Sequence, residues 1–119
     1  MSRVLVVGRV HAAGLDRLRA AGLAVEEVEE REPAAIARAL PGAVAVIVRT
    51  APLPAALLAR GEALRIVAKH GVGHDNIAVA ALTARRIPCA VAANANRVAV
   101  AEHTMMMLLE LAKAGRAHD

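Results

Sequence analysis

The sequence predicts an α/β fold in which a five-stranded parallel sheet carries helices on both faces. Short apolar runs alternate with stretches of helical periodicity through most of the 119 residues, and this alternation is typical of repeated strand–helix–strand units. Glycine or proline separates most successive segments, and no internal repeat divides the chain. A chain of this length forms one domain. We expect its strands in the flavodoxin-like order 2-1-3-4-5.

The predicted strands are short apolar segments. Residues 43–48 form the most continuous apolar run and are predicted as the central strand, since parallel strands covered on both faces are apolar throughout. The first strand ends at Gly8, and the second is expected to be less buried than the others. The five predicted strands cover residues 4–7, 23–28, 43–48, 65–68 and 88–92.

The predicted helices lie between and after these strands. Leu15 and Leu18 recur at helical spacing, and Gly22 ends their segment. Pro33 opens the next helix, where proline is tolerated because the N–H it lacks would have no helical partner. Asn76 and Asn96 precede two later helices and are predicted as their N-caps. The predicted helices cover residues 11–21, 33–40, 54–60, 77–86 and 97–113.

The composition predicts a core without aromatic side chains. The chain is 57% hydrophobic but contains no Phe, Tyr or Trp. The core is therefore expected to consist of Val, Ile, Leu, Met and Ala, with little buried area per residue. Cys89 is the single cysteine, which excludes an internal disulfide, and it is predicted to be an inert core thiol.

Charge and hydropathy exclude two classes of partner. The formal net charge of +4 comes almost entirely from arginines distributed along the chain without a basic run, and no aromatic residue is present to stack on a base, so no nucleic-acid partner is expected. No uncharged apolar run reaches the roughly 18 residues of a membrane-spanning helix, and no signal peptide is visible. We therefore expect a cytoplasmic protein with no membrane partner.

The candidate site lies where the strands end. In open parallel sheets, ligands bind outside the carboxyl ends of the strands, and Gly8, Arg49 and the segment 70–73 all follow predicted strands. The glycines of Gly71-Val72-Gly73 let backbone N–H groups approach a small anion. A guanidinium at Arg49 can form a paired contact with a carboxylate or phosphate.

The histidines do not predict a metal site. His70 and His74 are four residues apart, but they lie on a turn and not on one helix face, and no cysteine or carboxylate cluster completes a ligand set. We expect no metal. His70 borders the candidate site and is predicted as a hydrogen-bond donor to the ligand.

Two segments together resemble a known family. Residues 69–76 read KHGVGHDN and residues 98–104 read VAVAEHT. Together they resemble the D-2-hydroxyacid dehydrogenase family, in its phosphoglycerate-dehydrogenase-like branch, where a GxGxDN turn is followed by a VAEHT helix. The resemblance runs from residue 4 to about residue 114. It implies hydride transfer between a nicotinamide, from NAD or NADP in the full-length parent, and a small 2-hydroxy or 2-oxo acid.

The resemblance also implies roles for individual residues. The backbone N–H groups of Val72 and Gly73 would hold the substrate carboxylate, and Arg49 with Thr50 would lie near the acidic end of the substrate. The Val72 side chain would face the nicotinamide, and Val100 is the second candidate for cofactor contact.

Asn96 is a candidate substrate-loop residue in a loop where the family commonly has Pro-Gly and then Asn. Here Ala93-Asn94 replaces Pro-Gly, which leaves the identity of the substrate open.

No catalytic residue is assigned. The proton-transferring histidine of the family, its carboxylate partner and the carboxylate-binding arginine belong to the cofactor-binding portion, which this sequence does not include. We therefore expect residues 1–96 to form a substrate-binding domain and residues 97–119 to form a terminal helix that crosses to the nucleotide-binding domain in the family. The chain alone is expected to bind no cofactor and to be inactive.

The last predicted helix favours self-association. Met105, Met106 and Met107 make it apolar nearly all round, and such a helix is buried on more than one side. Without its cofactor domain it would expose a methionine-rich surface. We expect a homodimer or higher oligomer, formed by exchange of this helix between chains.

One alternative is left open: a stand-alone flavodoxin-like binding or structural module without enzymatic activity. A phosphotransfer receiver domain is disfavoured, because it needs acidic residues where this chain has Gly8-Arg9 and Arg49. Direct dinucleotide binding by the glycine turn is weakly supported, because Asn76 stands in place of the third glycine.

Overall fold

A computed structural model of the chain describes residues 1–113. The five strands are β1 (Arg3–Val7), β2 (Ala24–Val28), β3 (Ala43–Val48), β4 (Ile66–Lys69) and β5 (Cys89–Val91). The five helices are α1 (Ala12–Ala20), α2 (Pro33–Ala39), α3 (Ala55–Leu58), α4 (Val79–Ala84) and α5 (Arg97–Lys113). All strands are parallel and follow the order β2-β1-β3-β4-β5. The predicted fold class and strand order are confirmed.

One face of the sheet carries most of the core. Val46 on β3 pairs with Val67 on β4, and Val67 pairs with Cys89 on β5. These side chains point to the same face, where Ile36, Leu58 and Leu82 from α2, α3 and α4 pack against the strands. Cys89 is partly buried against this core, as a small apolar residue.

The opposite face is covered only in part. Leu15 of α1 packs against Val4 and Val6 of β1. Farther along this face, Ile66 of β4 is 38% exposed and Ala90 of β5 is exposed. The prediction of a buried fourth strand is therefore wrong at Ile66, because no described helix covers that side of β4.

Helix α5 runs from Arg97 to Lys113, as predicted, but none of its residues is buried. The expectation that methionine contributes to the core is also wrong. The four methionines are Met1, Met105, Met106 and Met107, and each of them is exposed. The described core consists of Val, Leu, Ile and Ala side chains, and the apolar surface of α5 is left unburied.

Arginines at the amino-terminal edge of the sheet have structural partners. The Arg3 guanidinium forms an ion pair with Glu26 and donates to the carbonyls of Ala39 and Pro41. Arg85 donates to the carbonyls of Leu58 and Gly61, 3.0 and 2.7 Å away, at the end of α3. These side chains are occupied in holding loops together, which distinguishes them from Arg49 at the opposite edge.

Candidate functional site

A cleft of about 460 Å³ lies at the carboxyl ends of the strands. Arg49 follows β3, His70 to Val72 follow β4, and the loop after β5 closes the third side. The cleft is lined by Arg49, His70, Gly71, Val72, Ala92, Ala95 and Asn96. Loops after three adjacent parallel strands therefore meet at this edge, as the sequence predicts for a ligand site.

The glycine turn is fixed on both sides. The N–H of His70 donates to the carbonyl of Val48 over 2.7 Å, and the carbonyl of Gly71 accepts the N–H of Ala92 over 2.9 Å. Gly71 has a φ of +145°, a backbone conformation that residues with a Cβ rarely adopt. The turn is therefore tied to β3 on one side and to the loop after β5 on the other.

The two residues after Gly71 present backbone N–H groups to the solvent. Within residues 1–113, the N–H groups of Val72 and Gly73 have no hydrogen-bond acceptor. Both residues are exposed, with the Val72 side chain 47% accessible. Successive unpaired N–H groups on a turn of fixed conformation form the kind of concavity that binds anions.

Lys69 joins the two sides of the cleft. Its Nζ donates to the carbonyl of Arg49 and, over 3.0 Å, to Oδ1 of Asn76. The Asn76 amide nitrogen in turn donates to the carbonyl of Ala51 over 2.8 Å. The loops after β3 and β4 are thus linked through two side chains.

The predicted capping role of Asn76 is wrong. Helix α4 begins at Val79, with Ala78 in the N-cap position, and the Asn76 side chain is bonded to Lys69 and Ala51 instead. The backbone of Asn76 also accepts the N–H of Leu53 over 2.8 Å. Asn76 therefore holds the loop after β3. Asn96 does immediately precede α5, and its carbonyl accepts the N–H of Val100 over 3.0 Å, as at the start of a helix.

Glu30 occupies the donors of Thr50. Its Oε1 accepts both the backbone N–H and the hydroxyl of Thr50, each over 2.9 Å. The hydrogen bond from the Thr50 backbone is the main reason that the pKa of Glu30 is lowered; burial opposes the shift, and Arg49 and Lys69 add to it. Gly8 allows this contact, because a Cβ there would lie 2.6 Å from the Glu30 side chain.

Arg49 differs from Arg3 and Arg85 in the contacts that its guanidinium makes. It is exposed at the cleft, and its guanidinium makes no ion pair or hydrogen bond to residues 1–113. It is therefore available to bind a ligand. Within the same described part of the chain, no group of three or more His, Cys, Asp or Glu residues has a metal-binding arrangement.

The predicted site residues divide into two sets. Arg49, His70, Gly71, Val72 and Asn96 line the cleft together. Thr50, Gly73 and Val100 do not line it: Thr50 is bonded to Glu30, Gly73 is the last residue of the glycine turn, and Val100 lies on α5. The roles of all eight stay predictions. Lys69 and Glu30 were missed as site residues, although each lies at or just beyond the carboxyl end of a strand.

Comparison with known proteins decides the family. The family profile described as D-isomer specific 2-hydroxyacid dehydrogenase, catalytic domain, matches residues 4–114. The chain belongs to the D-isomer-specific 2-hydroxyacid dehydrogenase family. This confirms the family that the glycine turn and the VAEHT segment predicted.

Curated relatives are considerably longer than this chain. The D-3-phosphoglycerate dehydrogenase of Archaeoglobus fulgidus is 30% identical over 112 residues, which are 93% of this chain and 21% of that protein. The Synechocystis enzyme of the same name is 31% identical over 117 residues, or 95% of this chain and 20% of its own length. The chain thus spans about a fifth of these relatives.

Solved structures share the fold. The TT0316 protein of Thermus thermophilus superposes with a TM-score of 0.82 at 29% identity, covering 98% of this chain and 40% of that one. The NADPH-dependent glyoxylate/hydroxypyruvate reductase of Sinorhizobium meliloti, solved with NADP and malonate, gives a TM-score of 0.78 at 27% identity. The match covers 92% of this chain and 34% of that one.

No helix within residues 1–113 has the length and apolar character needed to span a membrane.

Proposed function

We propose that this chain is the substrate-holding part of an NAD(P)-dependent D-2-hydroxyacid dehydrogenase. The cleft beside Gly71 would bind the carboxylate of a 2-hydroxy or 2-oxo acid. One observation carries the proposal: the N–H groups of Val72 and Gly73 have no acceptor within residues 1–113 and follow a turn that is bonded on both sides. Donors held in this way need no reorganisation when the anion arrives.

The charges around the cleft support an anionic ligand. Arg49 and Lys69 both lie near enough to Glu30 to lower its pKa. The Glu30 carboxylate is bonded to Thr50, and Lys69 is bonded to Arg49 and Asn76. The guanidinium of Arg49 is the cation in the cleft lining that is left to pair with a carboxylate, which it can do through two parallel hydrogen bonds.

We propose the class of the substrate, a 2-hydroxy or 2-oxo acid, and not an individual compound. The Archaeoglobus relative is a D-3-phosphoglycerate dehydrogenase and the Sinorhizobium structure is a glyoxylate/hydroxypyruvate reductase. The acids in these names share a carboxylate, and the other substituents differ. We propose that the Val72 and Gly73 N–H groups recognise this shared carboxylate.

The work of the enzyme would be divided between two domains. Residues 1–96 bind and orient the acid, and residues 97–119 connect to a nucleotide-binding domain. NAD or NADP held by that domain supplies or accepts the hydride. The exposed apolar side chains of Val72 and Val100 fit contact with a nicotinamide ring. The chain alone orients an acid without a general acid, general base or cofactor and is therefore inactive.

The proposal is tested by titrating the isotopically labelled chain with pyruvate while amide shifts are recorded. We expect pyruvate to bind with a dissociation constant in the millimolar range, which corresponds to a binding free energy of about −4 kcal/mol. The amide signals of Val72 and Gly73 are expected to shift most. Arg49→Gln should weaken binding about tenfold. Arg65→Gln, which removes an exposed arginine just before β4, is the matched control and should leave binding unchanged. Equal effects of the two substitutions would contradict a role for Arg49.

A second function has its own supporting observation. Val98, Met105 and Leu108 are each more than half exposed on a helix with no buried residue, and an exposed apolar surface of this kind marks an interaction site. We propose that the chain self-associates through α5. Light scattering tests this directly: a species heavier than the 12.3 kDa chain is expected, and a monomer at high concentration would contradict it.

A further inference from the structure

Glu30 holds a carboxylate against the loop that carries Arg49. Its Oε1 accepts the backbone N–H and the hydroxyl of Thr50, each over 2.9 Å, and Thr50 directly follows Arg49 in the chain. Glu30 belongs to the loop after β2, so these bonds reach over the end of β1 to the loop after β3. An acidic side chain therefore takes both donors of the residue next to the free guanidinium.

Gly8 fixes the position of this carboxylate. The N–H of Gly8 donates to the carbonyl of Val28 over 3.0 Å, which ties the loops after β1 and β2 together. The Glu30 side chain lies directly on the backbone of Gly8, since a Cβ there would be 2.6 Å from Cγ, Cδ and Oε1 of Glu30. The carboxylate is thus held between two loops, and it is a fixed charge beside the cleft.

The charges beside the cleft suit a ligand with a single anionic group. Within residues 1–113, Glu30 forms no ion pair. Its pKa is lowered, first by the Thr50 backbone hydrogen bond and also by the charges of Arg49 and Lys69, so it is ionised at neutral pH. Lys69 is bonded to the Arg49 carbonyl and to Asn76. The guanidinium of Arg49 can pair with one anion, and a second anion would meet the negative charge of Glu30.

Strand order places this charge near the far end of a short acid. β3 and β4 are neighbours in the sheet, and neighbouring strands lie about 4.8 Å apart. The His70 N–H donates to the Val48 carbonyl over 2.7 Å, which joins the ends of these two strands. A three-carbon acid whose carboxylate lies on the glycine turn therefore has its other end within reach of Arg49 and Thr50.

We propose that Glu30 is a specificity-determining residue, which fills the donors that a second anionic group would need and so restricts the cleft to acids with one carboxylate. Acids that carry a phosphate or a second carboxylate are disfavoured. The charge pattern thus favours the uncharged substituents of the acids in the name of the Sinorhizobium reductase over the phosphate of the acid in the name of the Archaeoglobus relative. The inference rests on the carboxylate site proposed above and adds the ionic class of the substrate.

Titration with D-glycerate and with 3-phospho-D-glycerate tests the inference, because these two 2-hydroxy acids differ only in the phosphate. The amide signals of Val72 and Gly73 report binding of each acid, and the readout is the ratio of the two dissociation constants. D-glycerate is expected to bind the parent chain about tenfold more tightly, or by a larger factor. Equal or tighter binding of the phosphorylated acid overturns the inference.

Two substitutions separate the charge of Glu30 from its hydrogen bonds. Glu30→Gln keeps an acceptor for Thr50 and removes the charge, and it should lower the ratio about threefold. Glu30→Ala also frees both Thr50 donors and should lower the ratio about tenfold. Glu29→Gln makes the same change in net charge at a neighbouring exposed carboxylate and should leave the ratio nearly unchanged. Equal effects of Glu29→Gln and Glu30→Gln would overturn the inference, because net charge alone would then account for the selectivity.

A structural role of Glu30 gives a different result. If Glu30 only supported the loop, Glu30→Ala would weaken both acids alike and leave the ratio unchanged, which overturns the inference. With selectivity as proposed, 3-phospho-D-glycerate shifts the Thr50 amide signal of Glu30→Ala, whereas D-glycerate leaves that signal in place. If neither acid moves the Val72 and Gly73 signals of the parent chain, the carboxylate site itself is wrong and the inference falls with it. Binding of D-glycerate with a ratio near one contradicts the role of Glu30 alone.

Discussion

The ammonium group of Lys69 lies 3.0 Å from Oδ1 of Asn76 and donates also to the backbone carbonyl of Arg49. The Asn76 amide group continues the connection to the carbonyl of Ala51. Lys69 lies at the end of β4, so a single strand terminus sets the separation between the loop that carries Arg49 and the turn that carries the unpaired N–H groups. We therefore regard Lys69 as a positioning residue of the proposed site.

Replacing Lys69 should loosen both loops. We expect Lys69→Met to lower the free energy of unfolding by about 1–2 kcal/mol, because two backbone or amide acceptors lose a charged donor. The amide signals of Thr50, Ala51 and Asn76 should shift as well. Chemical denaturation and amide spectra measure the two effects.

The second lysine of the chain provides the control for this substitution. Lys113 is exposed at the end of α5, and Lys113→Met should change neither stability nor the shifts of the two loops. If acid binding weakens equally in both variants, Lys69 acts only through overall charge, and its positioning role is wrong.

The two glycines of the turn should respond differently to alanine. Gly71 has a φ of +145°, and a Cβ there would also lie 3.4 Å from Cε of Lys69. Gly71→Ala should therefore destabilise the chain by about 1–3 kcal/mol. At Gly73 the nearest atom to an added Cβ is an Asp75 oxygen at 3.6 Å, an ordinary contact, and φ is not positive.

Gly73→Ala is accordingly the matched control, with a free energy of unfolding within about 0.5 kcal/mol of the parent. Thermal unfolding of the two variants side by side gives the comparison. Equal destabilisation would mean that the turn depends on both glycines, in conflict with the backbone geometry of Gly73.

Glu30 should make stability depend on pH in the acid range. Its pKa is lowered in the folded chain, first by the Thr50 backbone hydrogen bond. A carboxyl group with a depressed folded pKa stabilises the fold above its unfolded pKa, about 4.3, and this contribution is lost as the pH falls through the folded pKa. Glu30→Gln should thus be less stable than the parent at neutral pH, and the difference should shrink below about pH 4.

Glu29→Gln removes a neighbouring exposed carboxylate and controls for the change in net charge. Urea unfolding at a series of pH values measures both variants. A Glu30→Gln difference that persists unchanged at low pH would show that the carboxylate charge is not what stabilises the contact with Thr50.

Local sequence patterns predicted those helices and strands whose bounds are determined by neighbouring residues. Helix α5 and strand β3 have the predicted bounds, because the apolar run of β3 and the residue Asn96 before α5 are features of neighbouring residues. Strand order alone was sufficient to predict that Arg49 and the glycine turn lie at the same cleft, since parallel strands bring their carboxyl ends to one edge of the sheet.

Other features depend on contacts that sequence patterns do not contain. Lys69 and Glu30 each bond a residue 20 positions away, so their roles depend on which loops the fold brings together. Ile66 is exposed because no helix within residues 1–113 covers that half of the sheet face, and periodicity within β4 says nothing about it. Asn76 carries a typical capping side chain, but two tertiary partners compete for its amide group.

The most direct test of the account compares pyruvate with pyruvamide, which has no carboxylate, in amide titrations of the labelled chain. We predict that pyruvate moves the Val72 and Gly73 signals in a saturable manner and that pyruvamide leaves them in place. If the two compounds act alike, or if pyruvate moves only signals outside the cleft, the glycine turn is not the carboxylate site.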